Sequence, residues 1–132
     1  MITAVDSCVL IDILTDDPEF AQASADRLRR ALARGAVVAC APVWAEVGSG
    51  LGAAERAREV FATLRIDFSD LTQDVSLAAG EGLRLYRTRG GTRQRIAADF
   101  LIAAHAAVNG FPLLTRDDGL MKLPIQGLSL SQ

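Results

Sequence analysis

Four acidic residues, Asp6, Glu46, Asp99 and Asp117, stand where a folded chain could put chemistry. Asp6 ends the short apolar stretch Ile2 to Val5, and Asp117 follows a second, Phe111 to Leu114; both stretches read as strands. Glu46 lies one turn into the helix that Pro42 opens after the apolar run Ala36 to Ala41. Asp99 lies one turn into an apolar helix read over residues 96–108. Right-handed crossovers place every loop that follows a strand on one edge of a parallel sheet, and ligands bind at that edge. All four acids are therefore expected to face it. Carboxylates held close together repel and raise one another's pKa unless opposite charge offsets them. Apart from Arg116, no basic residue adjoins them in the sequence to do so. A divalent cation is the economical answer, and oxygen-only donors favour Mg²⁺ or Mn²⁺ over zinc.

Asp99 makes the strongest demand. Its helix is apolar nearly all round, as a buried element would be, and Ile96, Ile102, Ala103 and Ala106 share its face. An ionised carboxylate in such surroundings is costly unless paired, so a basic side chain or a cation is expected beside it. The other acids each have a plainer reading. Asp6 could cap a strand end, Glu46 could pair with an arginine, and Asp117 or Asp118 could be a turn residue. Four such coincidences at strand-following positions are harder to accept than one shared site.

The elements that would carry these residues alternate. Strands are read at 2–5, 36–41, 65–68 and 111–114, with a last edge strand at 125–130. Helices are read at 8–14, capped by the Ser7 hydroxyl, at 19–34 after Pro18, from Pro42 to the Gly48–Gly52 break, at 53–64, at 73–86 and at 96–108. Asn109-Gly110 supplies the stop of the last. Asp26 and Arg30 are spaced to pair across one turn. Gly90-Gly91 marks residues 87–95 as a loop, and 120–124 as an irregular turn or short helix. The alternation predicts a three-layer α/β/α sandwich around a mainly parallel sheet of four to five strands. With 132 residues, residues 1–132 are expected to form a single domain around one core.

Composition narrows the class. The chain is 50 % hydrophobic and 23 % charged, which excludes a disordered polypeptide. No apolar run could span a bilayer, and the N-terminus lacks the pattern of a signal peptide, so a cytoplasmic protein is expected. Cys8 and Cys40 read as small core residues, and with one histidine they make no zinc site. Net charge is −2, yet the arginines cluster.

The motifs around the four acids resemble a family. Asp6-Ser7-Cys8-Val9-Leu10-Ile11-Asp12 is similar to the opening motif of PIN-domain ribonucleases. Trp44-Ala45-Glu46-Val47, Ala98-Asp99-Phe100-Leu101-Ile102-Ala103-Ala104-His105-Ala106 and Leu114-Thr115-Arg116-Asp117 are similar to their second, third and fourth motifs. Order, spacing and length most resemble the small VapC-type toxins of bacterial toxin–antitoxin pairs. The adjacent acid Asp118 is a departure; Asp117 is favoured because Thr115 sits two residues before it.

That resemblance implies a Mg²⁺- or Mn²⁺-dependent endoribonuclease that would inhibit translation by cutting transfer or ribosomal RNA loops. Asp6 and Asp99, with Asp117 directly or through water, would hold the metal. Glu46 would bind water or help deprotonate the nucleophile. Ser7 and Thr115 would be hydrogen-bond partners of these acids. An antitoxin segment is implied as a partner, in a groove of the helices at 19–34 and 53–64, and a homodimer as the assembly.

An acidic site needs cations around it to receive a phosphodiester. Arg84, Arg87, Arg89, Arg93 and Arg95 fall in a segment free of acids that leads into the Asp99 helix. Arginine forks suit phosphate, so Arg87, Arg89, Arg93 and Arg95 are read as RNA contacts. His105 lies about 240° round the helix from Asp99 and is expected to be packed or at an interface. Two other readings compete. One is a catalytically silent RNA- or partner-binding module on the same fold. The other is a phosphoacceptor receiver domain, for which Lys122, the only lysine, is poorly placed.

Overall fold

A computed structural model describes residues 1–92 and 95–132. Among these residues the sheet has four strands, β1 (Ile2–Val5), β2 (Ala36–Cys40), β3 (Ile66–Ser69) and β4 (Leu113–Leu114), in the order β3-β2-β1-β4. Every pairing is parallel: Ala4 is in register with Val38 and Leu113, and Cys40 with Ser69. Parallel strands are covered on both faces and so are apolar without alternation. Val5, Val37, Ala39, Leu113 and Leu114 are correspondingly buried. Helices α1 (Ser7–Leu14), α2 (Ala21–Arg34), α3 (Ala41–Ser49), α4 (Ala54–Thr63), α5 (Gln73–Thr88), α6 (Ala97–Asn109) and α7 (Asp118–Met121) complete the expected sandwich.

Strand order reverses at β1. The chain runs outward from β1 through β2 to β3, then returns to place β4 on the other side of β1. A crevice opens where order reverses, beyond the carboxyl ends of the two strands. The Asp6 N–H donates to the Leu114 carbonyl at 2.9 Å, which fixes the end of β1 beside the end of β4.

Several local expectations change. Asp6, not Ser7, caps α1: its carboxylate accepts the Ser7 N–H, and Ser7 is the first helical residue. A carboxylate one residue earlier reaches the same N-terminal donors and leaves the hydroxyl for another partner. Helix α2 begins at Ala21 rather than 19, because Asp17 Oδ1 accepts the N–H groups of Glu19 and Phe20 and holds Pro18 in a turn. Asp26 pairs with Arg29 rather than Arg30, the other spacing that shares a helical face. The last strand is reduced to one bridge, Leu113 to Leu130, after Gly127 turns the chain at φ 87°. Gly110, at φ 71°, ends α6 as Asn109-Gly110 predicts.

Candidate active site

The crevice between β1 and β4 contains a chain of hydrogen bonds. Asp6 is 6 % exposed, and each of its oxygens is occupied. Oδ1 accepts the Ser7 N–H at 2.8 Å, and Oδ2 accepts the Thr115 hydroxyl at 2.7 Å. The Ser7 hydroxyl donates to Glu46 Oε1 at 2.9 Å, tying α3 to the end of β1. Thr115 Oγ1 in turn accepts the Asp117 N–H at 3.0 Å. Ser7 and Thr115 therefore link Glu46, Asp6 and Asp117 in one network.

Cys8 belongs to this network. Its thiol lies 3.3 Å from Asp6 Oδ2 and 3.5 Å from Thr115 Oγ1. Burial, with the Asp6 charge beside it, pushes the thiol up to about 11, so at neutral pH it is a protonated donor to Asp6. It also packs against the core, as its residue type predicts. The available signal for its place in the network was its position two residues after Asp6, on the first turn of α1.

Asp99 stands apart from this chain. It is half-buried on the first turn of α6, and its Oδ2 accepts the Ile96 N–H at 3.1 Å. The burial expected of it applies further along the helix, at Phe100, Ile102, Ala103, Ala104 and Ala106. An acid in the first turn also meets the positive end of the helix dipole, so its charge is accommodated without deep burial.

The counter-charges differ from those expected. Arg95 holds Asp117 with both ends of its fork, Nη1 to Oδ2 at 2.7 Å and Nη2 to Oδ1 at 2.8 Å. This pair keeps Asp117 below the usual carboxylate range against the opposing effect of burial. Arg116 turns away from the site to Asp12, with Nε 2.6 Å from Oδ2 and Nη2 2.8 Å from Oδ1. Among the described residues no three acidic, histidine or cysteine side chains are gathered closely enough to hold a metal ion. The donors are of the right type for a hard dication. Arg95 engages both oxygens of Asp117, and the Ile96 N–H engages one oxygen of Asp99.

Arg87, Arg89 and Arg84 are exposed, while Arg93 lies outside the described residues. Arg87 and Arg95 line a cavity of about 630 Å³ with Tyr86 and Ile96. Tyr86 packs edge-on against Phe100, and a side chain at Gly91 would run into its ring. His105 is buried, faces Ser69 Oγ at 2.8 Å and packs on Phe111. Burial lowers its pKa. A second cavity, of about 450 Å³, lies between α3 and α4 beside Trp44 and Ala45. Leu28 and Ala31 of α2 are buried, so that helix exposes less apolar surface than its sequence suggested. Among the described residues no helix is long and apolar enough to cross a membrane.

Residues 3–125 match the family described as PIN domain. Among solved structures, VapBC2 from Rickettsia felis bound to a DNA fragment from their promoter is similar, with 18 % identity and TM-score 0.78 over 98 % of this chain and 97 % of that one. DNA-bound VapBC from Salmonella typhimurium gives 18 % and 0.74 over 98 % and 97 %. FitAcB from Neisseria gonorrhoeae gives 24 % and 0.61 over 91 % and 90 %. No curated protein matches the sequence.

Proposed function

The chain belongs to the PIN domain family, and from that premise we propose that it is a divalent-metal-dependent endoribonuclease, the toxin of a toxin–antitoxin pair. The observation that carries this reading is the network in which Ser7 and Thr115 link Glu46, Asp6 and Asp117 at the β1–β4 crevice. Asp6, Glu46 and Asp117 on strand-following segments, with Asp99 on the first turn of α6, are hard oxygen donors that suit Mg²⁺ or Mn²⁺. Asp6, Asp99 and Asp117 would hold the ion. Once bound, it would supply Lewis acidity toward a phosphodiester and toward the water that attacks it.

The chain's own residues do the rest. Glu46, positioned by the Ser7 hydroxyl, would accept a proton as water attacks phosphorus. The bond from phosphorus to the 3′ oxygen would break as that oxygen takes a proton from solvent water, leaving a 3′-hydroxyl and a 5′-phosphate. Arg87 and Arg89, and Arg93 by its place in the sequence, would meet RNA phosphates. Transfer or ribosomal RNA loops are the proposed substrates, and inhibition of translation in the cytoplasm the consequence.

The cavity between α3 and α4 is the proposed seat of an antitoxin segment, because Trp44 and Ala45 at its edge adjoin Glu46. Solved structures of VapBC complexes share the fold and support that partnership. A homodimer is part of the same proposal. Cleavage of total cellular RNA with Mg²⁺ or Mn²⁺ tests it, comparing the native chain with Asp6→Asn and Asp99→Asn. Cleavage by the native chain and its loss in both variants is expected. Equal cleavage in all three would sink the metal mechanism, and no cleavage in any would favour a silent binding module.

A further inference from the structure

Arg95 occupies a built seat. Its fork takes both Asp117 oxygens at 2.7 and 2.8 Å. Its outer nitrogen lies over Gly119, where any Cβ would collide with it. The Asp99 charge also acts on the guanidinium. Thr115 Oγ1 accepts the Asp117 N–H and donates to Asp6, which ties the Asp117 backbone to Asp6 while both Asp117 oxygens face the arginine. One cation of this chain thus stands where a bound dication would find one of its ligands.

We propose that Arg95 and a divalent cation are alternative partners of Asp117, so that metal entry requires the arginine to leave. This rests on the metal reading above. The pair is open to exchange: its side chains are 22 % and 35 % exposed, so water and ions reach both partners. Arg95 also lines the 630 Å³ cavity, which gives the released side chain somewhere to go. Because two ligands that compete for one group weaken each other equally, anything that frees Asp117 strengthens metal binding by the same factor.

Calorimetric titration with MnCl₂ tests this on the whole chain. Arg95→Gln should bind Mn²⁺ about fivefold tighter than the native chain, the factor expected from losing a partly exposed pair. Gly119→Ala keeps every charge and pushes the guanidinium off its seat, asking of Asp117 Oδ1, 3.2 Å from the new Cβ, only a small adjustment, so it should gain at least about twofold by the same reasoning. Arg87→Gln removes an equal charge from the same cavity wall without touching Asp117, and should change little. No gain in either Arg95→Gln or Gly119→Ala overturns the proposal. So does an Arg87→Gln gain matching that of Arg95→Gln when Gly119→Ala gains nothing, because plain charge would then explain it. If the native chain binds Mn²⁺, and Asp6→Asn weakens that binding while the Arg95 and Gly119 variants do not improve it, the competition fails alone. If none of the proteins binds Mn²⁺, the metal reading fails with it.

Discussion

Among the described residues two arginine forks grip two aspartates, and the pairs differ mainly in what surrounds the carboxylate. Asp12 is 2 % exposed, receives the Arg116 fork and the Ser24 hydroxyl, and lies at the junction of α1, α2 and the loop after β4. Phe20 covers the Arg116 guanidinium at 4.1 Å. Arg27 holds the same loop through the Thr115 carbonyl at 2.9 Å and joins it to the C-terminal segment through the Ser131 carbonyl at 3.1 Å. Asp117 is half-buried, and its fork comes from the segment between α5 and α6. The buried carboxylate has no aqueous alternative, so its pair acts as a lock that positions Thr115. The half-buried carboxylate can exchange arginine for water or a cation, so its pair acts as a catch.

The largest effect should come from breaking the lock. Arg116→Ala leaves the buried Asp12 charge without its fork, and should cost on the order of 2–4 kcal/mol, read as a shifted urea midpoint. Because the loop after β4 then loosens, RNA cleavage should fall as well. A loss under about 1 kcal/mol would place this pair with ordinary surface pairs and end the comparison.

Acid should open the lock next. Arg116, and then Ser24, hold Asp12 below the usual carboxylate range. A depressed folded-state pKa gives stability that is present above the ordinary aspartate value, about 3.9, and is lost as pH falls through the lower folded value. Acid melts should show this decline below about pH 4, and Asp12→Asn should flatten it. Asp117 is shifted in the same direction by Arg95, but its exposure makes its share smaller.

Breaking the catch should cost less. Arg95→Gln is expected to change unfolding free energy by no more than about 1 kcal/mol. A loss equal to that of Arg116→Ala would mean that both pairs are locks. The smallest signal concerns the thiols. Burial lifts Cys8 and Cys40 to about 11 each, so both should react slowly with a thiol reagent at pH 8 in the native chain and quickly in urea. Fast native labelling would show that the protonated thiol beside Asp6 is misassigned.

The lock and the catch also separate what the sequence discloses from what it hides. Asp6, Glu46 and Asp117 were legible because strand ends in a parallel sheet share one edge, a consequence of handedness rather than of any particular contact. The Ser7 and Thr115 contacts followed from their places beside those acids. The Arg116–Asp12 pair was not legible, since its members are 104 residues apart and nothing local points from one to the other. Arg95 read as a phosphate ligand because an acid-free run of arginines looks alike whether it meets RNA or an aspartate of its own chain. Asp99 looked buried because the mean apolarity of its helix hides the difference between an open first turn and a closed middle.

The acids around the β1–β4 crevice are proposed to cut RNA with a divalent ion. The most direct measurement is the initial rate of cleavage of a 5′-labelled RNA as Mn²⁺ is raised from zero in chelator-treated protein. The account predicts no cleavage without the ion, a rate that rises and saturates with it, products ending in 3′-hydroxyl, and a loss of about a hundredfold or more in Asp6→Asn. Cleavage that persists in chelator, or that Asp6→Asn leaves unchanged, would contradict it.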